Sequence, residues 1–171
     1  NDQVQIAVPS KCGTGTIRLY YDDELSTESA TVFTYDVDPI VSTFAGAGGT
    51  GSDDNANPLL AHFNYPEKVF LDVPRGIVYV IDGGGQQLRK IDATGTRAVL
   101  SGASPTFRCG ACDPSGNVYL TINGSIARVN FGLVNSLTTI AGNQTTTGHT
   151  DAQGLTARFH NISALAIDAT G

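Results

Sequence analysis

The sequence predicts an all-β protein built from a repeated unit, and three observations carry that prediction. Residues 41–72 and 137–168 align without a gap, so that Thr43 falls on Thr139, Ala61 on Ala157, Phe63 on Phe159 and Asp72 on Asp168. The distance from Gly46 to Phe63 equals that from Gly142 to Phe159, 17 positions, and register sustained in this way marks an internal repeat. Short runs rich in β-branched and aromatic residues alternate with Gly, Pro and Asp turns, and no stretch shows the 3.6-residue periodicity of an amphipathic helix.

Residues 1–38 differ in kind from the rest. Val4, Ile6 and Val8 alternate with polar residues as far as Pro9, and Ile17, Leu19 and Tyr21 alternate again. After the acidic turn Asp22-Asp23-Glu24, Thr31, Phe33 and Tyr35 line one face of a third strand. Three strands that each bury one face make half a β-sandwich. Asp36-Val37-Asp38-Pro39 is a short junction to the remainder of the chain.

From residue 39 the repeat takes over. Thr43-Phe44-Ala45 reads as a strand, and the Gly/Asp-rich stretches 46–58 and 142–154 read as paired surface loops. Val69-Phe70-Leu71-Asp72 and the run at 77–81 are strands joined by Val73-Pro74-Arg75-Gly76, a turn with Pro early and Gly late. A further strand, 88–91, follows three glycines. A shorter middle copy repeats these parts: Val99-Leu100-Ser101-Gly102 repeats the opening, 110–113 matches 69–72, 115–120 matches 75–80, and 126–130 matches 88–92. A last strand pair is expected from Ala164. Four strands per ~40–45 residues is the signature of a propeller blade. A single meander cannot bury both of its faces, so such units must stack. Two full units and part of a third come after half a sandwich, which reads as a fragment of a longer chain.

Two families are resembled. The pattern Thr-x-Ala-Gly, Ala61-x-Phe63-Asn64-x-Pro66, Gly76-x-Val78-Tyr79-Val80 and Leu88-Arg89-Lys90-Ile91 resembles the NHL repeat across 39–171. That resemblance implies blades of an NHL-type β-propeller, two full and part of a third. In the last copy the Asn-x-Pro element has become His160-Asn161-Ile162. Gln5-Ile6-x-Val8-Pro9, Gly13-x-Gly15-x-Ile17-x-Leu19 and Ser29-Ala30-x-x-Phe33-Thr34-Tyr35 look like the C-terminal part of an IPT/TIG domain over 1–38, which implies an immunoglobulin-like sandwich.

Candidate chemistry is sparse. Three sequons, at Asn123, Asn143 and Asn161, are N-glycosylation acceptors. Cys12, Cys109 and Cys112 are disulfide candidates with open connectivity: a Cys109–Cys112 bridge if Gly110 makes a tight turn, or bonds to Cys12 or to sequence elsewhere. The Cys-x-x-Cys spacing precedes a strand rather than a helix start, and no second ligand pair accompanies it. His62, His149 and His160 show no ligation spacing, so no metal, cofactor or catalytic residue is expected. Ser52-Asp53-Asp54-Asn55 lacks the spacing of an EF-hand loop. Asp72, Asp113 and Asp168 are expected to bond backbone N–H groups of the turns that come directly after them.

The formal charge of −6 with scattered Lys and Arg speaks against a nucleic-acid partner. No apolar run approaches the ~20 residues of a membrane span, so no membrane insertion is expected. IPT/TIG–NHL combinations resemble parts of large extracellular repeat proteins, including those of mastigoneme-like filaments. The resemblance implies a secreted or cell-surface, non-catalytic glycoprotein that self-associates or binds other extracellular proteins and carries N-linked glycans. A receptor or adhesin that reads protein or glycan through a propeller face is the alternative, and a propeller lyase or hydrolase is a third.

Overall fold

The computed structural model describes residues 18–21, 24–28, 41–101 and 106–168. Its contacts divide the chain into two units, Asn1–Ser42 and Thr43–Gly171. In the first, β1 (Arg18–Tyr21) pairs antiparallel with β2 (Glu24–Glu28), with a register shift between Leu19 and Tyr20. The sequence pattern puts Glu24 in a turn, but it opens β2 opposite Tyr21. Pairing extended neighbours satisfies backbone groups that a longer turn would leave to water. The strands expected near residues 4–8 and 31–35, and Cys12, lie outside the described residues.

The second unit holds two four-stranded antiparallel sheets, each a simple meander. The first runs β3 (Pro66–Asp72), β4 (Ile77–Asp82), β5 (Gln87–Asp92), β6 (Gly95–Ser101). The second runs β7 (Phe107–Cys112), β8 (Val118–Ile122), β9 (Ser125–Asn130), β10 (Ser136–Gly142). The first turn of each sheet needs a left-handed residue: Gly76 has φ 63° after the 3-10 turn Val73–Arg75, and Gly116 has φ 86° in the matching place. Among the described residues no helix is long and apolar enough to cross a membrane.

Two expected strands are corrected. Thr43-Phe44-Ala45 forms no strand, and the fourth strand of the first sheet is β6, which pairs with β5 from Asp92↔Gly95 to Gln87↔Ser101. A hairpin joined by two residues closes its ladder at far smaller entropic cost than a strand contributed from upstream. Residues 164–168, expected to begin a new strand pair, are likewise in no strand.

Side-chain alternation gives each sheet two apolar faces. The back face of the first sheet, with Tyr79, Ile81 and Leu88, packs with the front face of the second, with Val118, Leu120, Ile122, Ala127 and Val129, to form the core. Burying each large aliphatic side chain there contributes about 1.5–3 kcal/mol. β7 makes the crossing contact, lying against β3 and β4.

The long loops explain the 17-residue spacing. A Cβ built on Gly46 would meet the ring of Phe63 at 3.7 Å, and one on Gly142 would meet that of Phe159 at 2.8 Å. In both copies an aromatic ring lies over the glycine that opens its loop. Each loop also contains a 3-10 turn in register, Pro58–Leu60 and Gly154–Thr156, followed by a buried alanine, Ala61 or Ala157.

Candidate functional site

Arg89 ties the first loop to the sheet. In a period-2 strand it falls on the front face with Ile91, where an apolar residue would be expected, and it is fully buried. Its Nη1 donates to the His62 carbonyl, and its Nη2 donates to the Asp53 carbonyl at 2.7 Å and to Asp54 Oδ1 at 2.9 Å. The guanidinium also lies 4.7 Å from the Phe63 ring centroid and 3.8 Å from the fully buried Asp82 carboxylate. Asp82 Oδ1 accepts from the Asn64 backbone N–H at 2.7 Å, yet burial raises its pKa above the usual carboxylate value. Asp54 Oδ1 accepts in addition from the Ala98 N–H, so the loop is fastened to β5 and β6 at once. The second repeat has Ala127 in place of Arg89, and its loop is held instead by backbone bonds between Thr150 and Arg158.

A concavity of about 400 Å³ lies where the two sheets meet. Its walls carry the aromatic rings of Tyr79 and Phe131, 6.4 Å apart, and three cations, Arg75, Lys90 and Arg97. Arg75 grips the buried Asp72 carboxylate at 3.2 Å and donates to the carbonyls of Pro114 and Ser115 in the facing turn, so one side chain clasps both sheets. Gly116, at φ 86°, leaves that guanidinium room, since a Cβ would stand 2.5 Å from it. Lys90 and Arg97 share Asp92, at 2.8 and 3.0 Å. Burial first, then neighbouring negative charge, pushes Tyr79 up to about 12, so its hydroxyl stays protonated at neutral pH. Two aromatic rings beneath a rim of ion-paired side chains suit a hydroxyl-rich ligand.

Lys90 first, then Thr94 and Arg97, hold the Asp92 carboxyl well below its usual range, and Asn117 does the same to Asp113. A carboxyl depressed on folding contributes stability above its unfolded pKa, about 4, which is lost as pH falls toward the folded value. Asp82 carries the opposite sign: its raised pKa makes its contribution largest at low pH and lessens it as pH rises through the folded value. The thermal midpoint is expected to fall on acidification below about pH 4, and Asp92→Asn to flatten that fall. A variant profile parallel to that of the parent chain would exclude Asp92 as a source.

The sequence-predicted positions are dispersed. Asn123 is exposed at the β8–β9 turn with φ 49°, and Asn161 is exposed with φ 55°. Asn143 is half-buried at the mouth of its loop, its Oδ1 accepting from the N–H groups of Thr145 and Thr146 and from the Thr145 hydroxyl. Asn123 and Asn161 line one cavity with Gly124, whose carbonyl accepts from the Asn143 backbone N–H at 3.2 Å.

Cys109 and Cys112 are free thiols, both in β7. Gly110 is part of that extended strand, so the tight turn needed for a bridge between them does not form, and residues three apart in a strand exceed disulfide reach. Cys109 Sγ lies 3.1 Å from the Thr121 hydroxyl. Burial and the carboxylates of Asp72 and Asp113 push the Cys112 thiol up to about 12, which keeps it protonated and poorly nucleophilic.

The three histidines do not converge. His62 Nδ1 is 3.4 Å from Asp53, and His149 and His160 face each other at 5.7 Å between ring centroids. Among the described residues no group of three or more His, Cys, Asp and Glu is placed to hold a metal ion. Asp113 bonds the Asn117 backbone N–H at 2.8 Å as expected for a turn cap. Asp72 corrects that expectation: its side chain makes no cap bond and pairs with Arg75, whose charge outcompetes a backbone N–H.

Sequence reasoning missed Arg89, the Arg75 clasp and the Lys90–Asp92–Arg97 cluster. The signal for Arg89 was available, a charged residue alternating with Ile91 on one face of β5. No protein-family model and no curated protein sequence matches this chain.

Proposed function

We propose that this chain is a non-catalytic extracellular structural and interaction glycoprotein, a subunit of a surface fibre or appendage. In this reading residues 39–171 are NHL-type propeller blades placed after the C-terminal part of an IPT/TIG-like sandwich. One observation supports it most. Apolar side chains stay exposed on the two outer sides of the sheet pair, Val69, Leu71 and Phe44 on one and Ile140 on the other. Surfaces of that kind on a folded chain are assembly surfaces. Exposed sequons at Asn123 and Asn161 agree with a glycan-coated exterior.

Negative-stain electron microscopy of the native material tests the proposal. Regular fibres with an axial repeat are expected, and isolated particles at every concentration would overturn it. The aromatic cleft favours a second reading, a receptor or adhesin. Selective retention on an array of glycans, lost on Phe131→Ala, would distinguish it.

A further inference from the structure

We propose that the cleft between the two sheets binds one neutral sugar ring, stacked on Phe131 and hydrogen-bonded by the Tyr79 hydroxyl. The inference rests on the receptor reading of that cleft and names its ligand class. Three observations carry it.

The first is an unpartnered hydroxyl. Tyr79 lines the cleft and is only 3% exposed, and its hydroxyl has no hydrogen-bond partner among the described residues. Buried polar groups in folded proteins have partners, so this one is suited to a partner from outside the chain. A phenolic hydroxyl donates one bond and accepts another, and so does each hydroxyl of a sugar.

The second is a preformed aromatic wall. Phe131 is 47% exposed and lies 6.4 Å from the Tyr79 ring, which stacks in turn on Phe70 at 5.2 Å. Asn135 fixes the hairpin that carries Phe131. Its Oδ1 accepts from the Gly132 N–H at 3.0 Å, and its Nδ2 donates to the Val99 carbonyl of β6 at 2.8 Å. The ring is therefore held in place before a ligand arrives, which lowers the ordering cost of binding. A pyranose lays a face of C–H groups on such a ring and turns its hydroxyls to the edge.

The third is the balance of charge. Arg75 pairs with Asp72, and Lys90 and Arg97 share Asp92. An anion would have to compete with these carboxylates, whereas a neutral hydroxyl needs only an N–H left over. Arg97 donates through Nη2 to Asp92 and Thr94, and its Nη1 and Nε have no partner among the described residues. The volume, about 400 Å³, is near the lower end of the range of about 300–1,000 Å³ for ligand sites, so it accommodates one ring rather than a chain.

Amide shifts of the isotope-labelled 171-residue chain, titrated with the methyl glycosides of glucose, galactose, mannose and N-acetylglucosamine, test it. At least one glycoside should shift the amides of Ala98, Val99, Gly116 and Phe131 saturably. Its affinity should be the same at about 0.1 M and about 1 M salt, since the ligand carries no charge. Tyr79→Phe removes the hydroxyl alone and should weaken binding about 2–10-fold with no fall in the urea midpoint. Phe131→Ala should weaken binding about tenfold, and Phe131→Trp should restore it. Leu133→Ala, at an exposed hairpin tip outside the cleft, should change nothing.

The absence of saturable shifts with all four glycosides overturns the inference, as do shifts confined to residues away from the cleft. Binding indifferent to Tyr79→Phe and Phe131→Ala does the same. An affinity that collapses at the higher salt would assign the cleft to an anion and remove the neutral sugar. Retention on a glycan array without cleft shifts for single sugars would remove this site and leave the receptor reading. Cleft shifts in a chain that no arrayed glycan retains would keep the site and remove the receptor role.

Discussion

Replacing Arg89 by alanine should destabilise the second unit by about 3–5 kcal/mol, the cost of removing one partner from a buried ionic network. The change strands the Asp82 carboxylate without its nearby cation, takes the donor from the His62 carbonyl and leaves the Asp53 carbonyl only the long bond from the His62 N–H. It also takes away the charge that fixes Asp54, which in turn holds the Ala98 N–H. Folded domains are stable by only about 5–15 kcal/mol, so the midpoint of urea unfolding should drop visibly. Proteolytic cutting within 46–58 should appear with it. Arg89→Lys should recover little, because one ammonium cannot span three acceptors that a planar fork reaches together. A loss under about 1 kcal/mol would mean that the loop closes on Phe63 and backbone bonds alone.

Gly110→Val should cost about 2–3 kcal/mol, at the upper end of what overpacking a core does. A Cβ at this position would lie 2.5 Å from the Phe70 ring and 2.9 Å from Leu120, so β7 must withdraw from β3. β7 makes the principal contact between the sheets, and the strain therefore acts on the whole interface rather than on one side chain. Gly110→Ala should show a smaller loss in the same direction. Adding Phe70→Ala to Gly110→Val should be less than additive, since the smaller residue yields the space the valine needs. Strictly additive losses in urea unfolding would place the strain elsewhere.

Strands and turns of the second unit were legible in the sequence because they depend on local chemistry. β-branched runs, a Pro-to-Gly turn and the left-handed glycines Gly76 and Gly116 specify β4, β5 and β8 whatever lies around them. The repeat register was legible for a related reason. Phe63 and Phe159 each lie over a glycine 17 residues back, and a contact kept in two copies leaves its spacing in the sequence. Where local propensity and chain topology disagreed, topology prevailed: Thr43-Phe44-Ala45 has strand character, yet β6 took the edge because a two-residue hairpin delivers it there first.

The polar sites were decided by tertiary structure. Arg89 meets Asp53, Asp54 and His62 across 27 to 36 residues, and Arg75 meets Ser115 across 40. No periodicity encodes such pairings. Cys109 and Cys112 show the converse, a spacing that suggests a bridge and an extended strand that holds the thiols apart. By itself the sequence determined the β class, the repeat and most strand positions, all set by side-chain alternation and turn geometry over a few residues. Only the tertiary structure decided which carboxylate meets which cation and which apolar side chains stay exposed, because both depend on how distant strands stack and what each stack leaves uncovered.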